Sequence, residues 1–451
     1  MVNRITILGS GESGTGAALL AKAKGYTVFV SDKGIIADRY KTLLQQQEIE
    51  FEEGIHTTSK ILNADIIIKS PGIPTKAEII QEAIASKIEI IDELEFAFRF
   101  TKAKIIAITG TNGKTTTTLL TYHLLKEAGL KVGLAGNVGS SMAKQVIEDD
   151  FDYYVVEMSS FQIDGISSFS PDIAILLNIT PDHLDRYNYD FGQYINSKLR
   201  LVENMNEDSK LIYFSDDTVI AENLNLKDLD ATAFPISLNI NDGNSAQAIA
   251  EEMHFNLPGA MFHLNQSETS LKGKHNIINT MAAVIAAKFA GVSEDNIRKD
   301  LKTFKNAPHR MEFVATINDV DFYNDSKATN VESTRYALES FNEKLVWIAG
   351  GIDKGNDYSK IMEQVNVKVK ALICLGKDNQ KLRDSFHNEI VDMLETDNMT
   401  DAVNSAMRYA RAHDVVLLSP ACASFDLFKN YEDRGDQFKE AVMLLKKTYS
   451  N

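Results

Sequence analysis

Short, nearly continuous apolar runs recur along this chain, each passing into a small polar turn and then into a stretch with helical spacing. Runs of that kind suit strands buried on both faces, and their alternation with helices predicts parallel α/β sheets. Residues 1–95 supply "ITILG", "YTVFVSD" and "ADIIIKS", and "DELEFAFRFTKAK" (92–104) reads as a helix leading across a boundary. Residues 96–302 supply "KIIAITG", "KVGLAG", "YYVVEMS" and "DIAILLNIT". The pattern then changes to alternation in "MHFNLPGAMFHLNQSE" (253–268), which predicts a small antiparallel patch. A long helix is expected after His275–Asn276. Residues 303–451 open on a hairpin turning at Asn318–Asp319 and continue with "KLVWIAGG", "KALICLG" and "DVVLLSP". The pattern therefore predicts three α/β units, with ligands at the C-terminal ends of their strands.

Composition narrows the choices. The length of 451 residues fits about three domains at roughly 150 residues each. With 44% hydrophobic and 24% charged residues, the chain has the makeup of an ordinary globular protein. A net charge of −16 argues against a general binder of nucleic acid or of anionic membranes. Any anionic ligand must then be met by local donors. Cys374 and Cys422 lack partners at metal-ligand spacing, so neither a disulfide framework nor a Cys-based zinc site is expected. No signal-peptide core precedes the first Gly, and "TMAAVIAAKFAGV" (280–292) is too short and interrupted to span a bilayer. The expectation is a cytoplasmic protein without membrane or nucleic-acid partners.

Two turns have the makings of phosphate sites. "TGTNGKTT" (109–116) follows an apolar strand and precedes a helix, so the backbone of Gly110, Thr111, Asn112 and Gly113 can wrap phosphate oxygens at a helix N-terminus. Lys114 would reach the β/γ-phosphates, Thr115 would offer a hydroxyl to Mg²⁺, and Thr116 continues the helix start. The motif departs from G-x-x-x-x-G-K-[ST], because position 108 is Ile. The other turn, "GSGESG", carries Gly9, Gly11 and Gly14 at dinucleotide spacing, with Asp32 ending the next strand where a ribose-binding acid would sit. Taken alone that pattern predicts a nicotinamide cofactor, but it leaves the second loop unexplained.

Further polar groups end other strands. Glu157 closes "YYVVE", where a carboxylate can complete Mg²⁺ coordination or simply face solvent. Asn178, Asp182, His183 and Asp185 crowd the loop after "DIAILL", and the choice between a structural and a functional His183 stays open on this pattern. Nothing local marks Lys198. In the last unit His309, Arg310, Asp325, Lys327, Thr329, Lys354 and Ser424 supply donors and acceptors suited to a phosphate and a small anionic amino acid. Caps, turns and solvated charge would equally account for any one of them.

Taken in order, "SPGIP", "GTNGKTT", "GNVG", "EMSSFQ", "NITPDHLDR", "KLR", "HNIIN", "PHR", "NDSKATN" and "SPACASFD" resemble the signatures of the Mur ligase family across essentially the whole chain. The P-loop alone would fit folylpolyglutamate synthetase as well, and the last two motifs together with the N-terminal unit favour the Mur ligases. The resemblance implies three domains: a Rossmann-like UDP-binding domain at 1–95, a P-loop ATPase-type domain at 96–302, and a Rossmann-like C-terminal domain at 303–451. That last domain would bind D-glutamate and complete the ATP site. The implied activity is ATP-dependent addition of D-glutamate to UDP-N-acetylmuramoyl-L-alanine, through an acyl phosphate, in peptidoglycan precursor synthesis. The cofactors implied are ATP and two Mg²⁺ ions, and the state implied is a monomer.

Carried over residue by residue, the resemblance puts Lys114 and Thr115 on the phosphates and the first Mg²⁺, with Glu157 completing that metal. His183 would bind the second Mg²⁺, and Lys198 matches the lysine that becomes carbamylated. Asn279, Arg310 and Asp325 match ATP contacts, and Lys327, Thr329, Lys354, Ser424 and Phe425 match the D-glutamate group. Asn137 and His183 would touch the UDP-sugar, while Ser13, Asp32 and Gly72 would hold its UDP end. "SDKG" departs from relatives that carry an Arg two residues after the Asp.

Overall fold

The protein's architecture comes from a computed structural model describing residues 3–224, 228–240, 243–271 and 273–449. Three sheets organise it. The first has five parallel strands in the spatial order Glu50–Glu53, Thr27–Asp32, Arg4–Leu8, Ile66–Lys69 and Glu89–Ile91. Its three inner strands are the apolar runs of the sequence. The two outer ones were not predicted, because "EFEE" and "EII" are short and carry the charge typical of sheet edges. The helical reading of residues 92–104 holds only for Glu93–Phe98, since Lys104 already opens the next strand.

The second sheet has nine strands and sets up the chemistry. Lys104–Thr109 lies third from one edge, between Tyr153–Glu157 on one side and Ile173–Leu176 on the other. From Lys104–Thr109 the chain skips a place to Val132–Gly136, returns to Tyr153–Glu157, and then crosses to Ile173–Leu176. Such a reversal leaves a crevice above the strand ends, where open α/β sheets take their ligands. The alternating segment does form an antiparallel patch: Glu252–Leu257 pairs with Ala246–Ile249 and with Ala260–Asn265 at the far edge. The expected long helix runs Lys274–Phe289.

The third sheet orders Glu312–Ile317, Val320–Asn324, Val415–Leu418, Leu345–Ala349, Val369–Leu375 and Asp392–Thr396. Its first two strands form the predicted hairpin, and Asn318 and Asp319 both take positive φ (49° and 59°), as a two-residue primed turn requires. By contact the chain divides into two compact units. One runs to Ser270 and includes Ile278–Phe304, holding the first two sheets; the other comprises Leu271–Ile277 and everything from Lys305 onward. Cys374 and Cys422 are free and buried. Among the described residues, no helix is long and apolar enough to cross a membrane.

Candidate functional site

The phosphate turn is built by local geometry. Gly110 (φ 156°) follows the strand Lys104–Thr109 and Gly113 (φ 85°) caps the helix Lys114–Glu127. Between them, the Thr111 N–H donates to Asn178 O (2.8 Å) and the Asn112 N–H to Asn178 Oδ1 (2.8 Å), while Asn178 Nδ2 returns a bond to Asn112 O (3.0 Å). The loop after the neighbouring strand thus clamps the turn. Gly113 has a further reason to be glycine: a Cβ there would lie 2.5 Å from Asn279 Oδ1 and 3.1 Å from Leu177 Cδ1. Left-handed backbone costs a non-glycine residue about 1–2 kcal/mol even before that clash. Gly113→Ala is therefore expected to lower the first calorimetric unfolding transition by several degrees, and an unchanged transition would mean the turn is not held as described.

Charge converges on this turn. Lys114 Nζ donates to the carbonyls of Gly110 and Thr111, both at 2.8 Å. Lys198 Nζ donates to the same Gly110 carbonyl, also at 2.8 Å, from the buried face of the helix Phe191–Leu199. Burial, and then the neighbouring Lys114 charge, hold the Lys198 ammonium well below the usual lysine range, against the pull of Asp182, Asp164 and Glu157. Two lysine side chains thus converge on one carbonyl at the helix N-terminus, where an anion is favoured.

A carboxylate ends the adjacent strand, where Glu157 pairs with Ile108. Glu157 is 1% exposed, and its Oε1 accepts from Asn137 Nδ2 at 2.9 Å. Its Oε2 is buried with no hydrogen-bond partner among the described residues. A buried carboxylate oxygen left that way is costly unless a cation meets it, so the residue suits a divalent ion. Thr115 and Thr116 are buried in the first turn of the helix, and Asn279 is buried with its Oδ1 accepting from Thr117 Oγ1 (3.2 Å). His183 is half exposed in a left-handed conformation (φ 52°), with Nε2 3.5 Å from Asp182 Oδ2. Among the described residues no group of three His, Cys, Asp or Glu converges as a ready metal cage. A hard cation here would take its other oxygens from phosphates or water.

At the first sheet, Gly9 (φ 87°) and Gly14 let turn and helix touch: a Cβ on Gly14 would lie 1.9 Å from Gly9 O. Asp32 accepts from the Ser10 N–H (2.6 Å) and the Gly34 N–H (2.8 Å), so it ties the Gly-rich turn to the loop after the second strand. Lone pairs remain on both oxygens for a ligand hydroxyl. Ser13 sits in the first turn of the helix Glu12–Ala23, and Gly72 has open space where a Cβ would project.

In the other unit, Asp325 is buried, with Oδ2 accepting from Ser419 Oγ (3.0 Å) and Oδ1 from the Met311 N–H (3.2 Å). Burial pushes its pKa up to about 7 against those bonds and the charges of Arg310 and Arg434. Lys327 holds its ammonium over the Tyr431 ring at 3.6 Å, and its N–H donates to His309 O. The loops of Lys354 and Ser424 adjoin through reciprocal Ile352–Ala423 backbone bonds. Ser424 is buried, Thr329 half-buried, Lys354 exposed, and Phe425 66% exposed.

Two contributors escaped the sequence reading. Tyr194 lies 3.1 Å from Thr111 Oγ1 through its hydroxyl and beneath the Lys198 ammonium through its ring (4.8 Å). Arg434, 1% exposed, donates to Ser326 Oγ (3.0 Å), Ser326 O (2.9 Å) and Cys422 O (3.1 Å), pinning the strand-end loops of Lys327 and Ser424 together.

Residues 4–79 match the MurD N-terminal domain, residues 108–287 the Mur ligase middle domain, and residues 309–422 the Mur ligase glutamate ligase domain. A UDP-N-acetylmuramoylalanine–D-glutamate ligase of Christiangramia forsetii is 50% identical over 442 residues, covering 98% of this chain and 99% of that protein. The enzyme of the same name from Cytophaga hutchinsonii is 50% identical over 450 residues, covering 99% and 100%. Among solved structures, the UDP-N-acetylmuramate–alanine ligase MurC of Thermotoga maritima shares the fold with a TM-score of 0.61 at 18% identity, covering 99% of this chain and 100% of that one.

Proposed function

The chain belongs to the Mur ligase family, and we propose that it is the ATP-dependent enzyme that joins D-glutamate to UDP-N-acetylmuramoyl-L-alanine in peptidoglycan precursor synthesis. The observation that carries the chemistry is the convergence of the Lys114 and Lys198 side-chain nitrogens on the Gly110 carbonyl, with the Glu157 carboxylate among the charges acting on Lys198. The choice of amino acid follows the relatives that share half their residues with this chain over nearly its whole length.

A carboxylate is a poor electrophile. The L-alanyl carboxylate oxygen therefore attacks the γ-phosphorus of ATP, the bond to the bridging oxygen breaks, and ADP leaves with that electron pair. The resulting acyl phosphate is then attacked by the D-glutamate amine; the tetrahedral intermediate expels phosphate, the nitrogen loses a proton, and an amide remains. Carboxylate and γ-phosphate are both anions, so their approach needs fixed positive charge. Lys114 and the N-terminus of the helix Lys114–Glu127 supply it. Mg²⁺ would add Lewis-acid stabilisation of the phosphoryl oxygens. Thr115 and Glu157 are the residues assigned to one ion, and His183 with a carbamylated Lys198 to the other. Addition of CO₂ needs the neutral amine, and the lowered ammonium pKa of Lys198 favours that form.

The remaining assignments belong to the same proposal. Residues 1–95 hold the UDP end through Ser13, Asp32 and Gly72, with Asn137 and His183 nearer the sugar. Residues 96–302 hold ATP, contacted also by Asn279, Arg310 and Asp325. Residues 303–451 hold D-glutamate through Lys327, Thr329, Lys354, Ser424 and Phe425. The enzyme acts in the cytoplasm as a monomer, where its nucleotide substrates are made.

Specificity tests the reading. With UDP-N-acetylmuramoyl-L-alanine and ATP present, D-glutamate is expected to drive phosphate release, while L-glutamate, L-lysine and meso-diaminopimelate are not. L-Lysine lacks the second carboxylate and leaves a cation of the site unpaired, L-glutamate presents its amine with the wrong hand, and meso-diaminopimelate carries a longer, aminated side chain. Equal turnover with L-lysine would sink the assignment.

A further inference from the structure

Arg186 stands three residues after His183, at the end of the single turn Leu184–Arg186. Its Nη1 donates to Gly72 O at 3.3 Å and its Nη2 to Pro71 O at 3.2 Å. The face of the same guanidinium lies 4.5 Å from the centre of the Phe161 ring. That ring in turn meets His183 edge-on, with centroids 5.2 Å apart, and stacks on Tyr187 at 6.1 Å. Phe161 belongs to the short helix Ser160–Ile163, which begins just after Glu157. One side chain thus touches the loop of the first sheet, the helix that follows Glu157 and the turn that carries His183.

Resting on the reading of Gly72 and His183 as UDP-sugar contacts, we propose that Arg186 is a positioning residue that couples seating of the UDP-sugar to the placement of His183. His183 occupies a left-handed conformation, which persists only where its surroundings hold it. The Arg186 N–H donates to His183 O at 2.9 Å, so the turn is held from its own end. Arg186 and Phe161 also line a cavity of about 510 Å³, so hydrogen bonds and ring contact, rather than close packing all round, fix where they lie. A guanidinium suits this task because its planar fork reaches two carbonyls while its face stays on an aromatic ring. A ligand that orders the Pro71–Gly72 backbone orders the fork, and the fork fixes Phe161 and His183.

The test is steady-state phosphate release with each substrate varied in turn, together with calorimetric UDP-sugar binding in the absence of ATP. Arg186→Met is expected to raise KM for UDP-N-acetylmuramoyl-L-alanine by about tenfold and to lower kcat by a similar factor, with KM for ATP and D-glutamate moving less than about twofold. Arg186→Lys keeps the charge and is expected to recover part of kcat but not the UDP-sugar affinity. Phe161→Leu should give the same pattern, and combining it with Arg186→Met should add little, as for residues in one contact chain. An unchanged UDP-sugar KM in either Arg186 variant overturns the positioning role. Losses spread equally over all three substrates with a lowered melting temperature overturn it too. A parent enzyme inactive with these substrates would instead overturn the functional assignment, so the two failures are read apart.

Discussion

Lys114→Ala is expected to lose nearly all turnover while keeping its fold. Lys114 is the first residue of the helix Lys114–Glu127, partly exposed, and its ammonium bonds the Gly110 and Thr111 carbonyls rather than a core partner. Alanine suits a helix start, so the melting temperature should move little. The chemistry differs. Removing a donor aimed at transferring charge costs about 3 kcal/mol or more, on the order of a hundredfold or greater loss in kcat. The loss should fall on kcat for phosphate release with UDP-N-acetylmuramoyl-L-alanine and D-glutamate saturating, because the Lys114 charge matters most as the two anions meet. A secondary effect follows from the shared carbonyl. Without the Lys114 charge, the Lys198 ammonium is less opposed, so its pKa should move back toward the usual lysine range. A folded Lys114→Ala variant with parental kcat would refute the phosphate-turn reading.

The sequence made the inner strands of the first and third sheets, the strands around the phosphate turn and both Gly-rich turns legible, because fully buried parallel strands are continuous apolar runs and turns need φ that only glycine takes cheaply. It did not reveal the inner strands Lys210–Phe214 and Thr232–Ser237. The strands Glu50–Glu53 and Asp392–Thr396 were not legible, since an edge strand is charged and lacks that signature. Arg434 was hidden for another reason. Its burial depends on the loops of Ser326, Gly350 and Cys422, from distant parts of the chain, closing over it, and nothing within "NYEDRGDQF" announces that. Lys198 is the intermediate case. Tyr194, Ile195 and Lys198 are all buried in the helix Phe191–Leu199, and the four-residue step from Tyr194 puts Lys198 on its inward stripe. A lysine on a core stripe was a signal available in the sequence. Asp32 shows the opposite limit: its place at the strand end was predicted, but its bonds to Ser10 and Gly34 needed the folded loop.

That inward lysine yields the second large effect: Lys198→Met is expected to lose most activity and to become no less stable, or more so, than the parent. The Lys198 ammonium is 1% exposed, and carbonyl and aromatic contacts are poor compensation for a buried cation. Because its folded-state pKa is lowered, the native chain binds fewer protons than the unfolded chain between that value and the ordinary 10.5. Its unfavourable contribution to stability therefore shrinks as pH rises through this window. Methionine fills the same stem volume without the charge, so the melting temperature of Lys198→Met should lose that pH dependence. Under the proposed function the amine is required. If it adds CO₂ to become an oxygen-donor anion, parent activity should fall in bicarbonate-free buffer and return when bicarbonate is restored. Lys198→Ala, which leaves space, should regain part of its activity with a small added carboxylate, whereas Lys198→Met should not. A surface role would leave both variants at parental rates, and that outcome would remove Lys198 from the site. Loss of activity without bicarbonate dependence or carboxylate rescue would keep the residue there but rule out the carbamate.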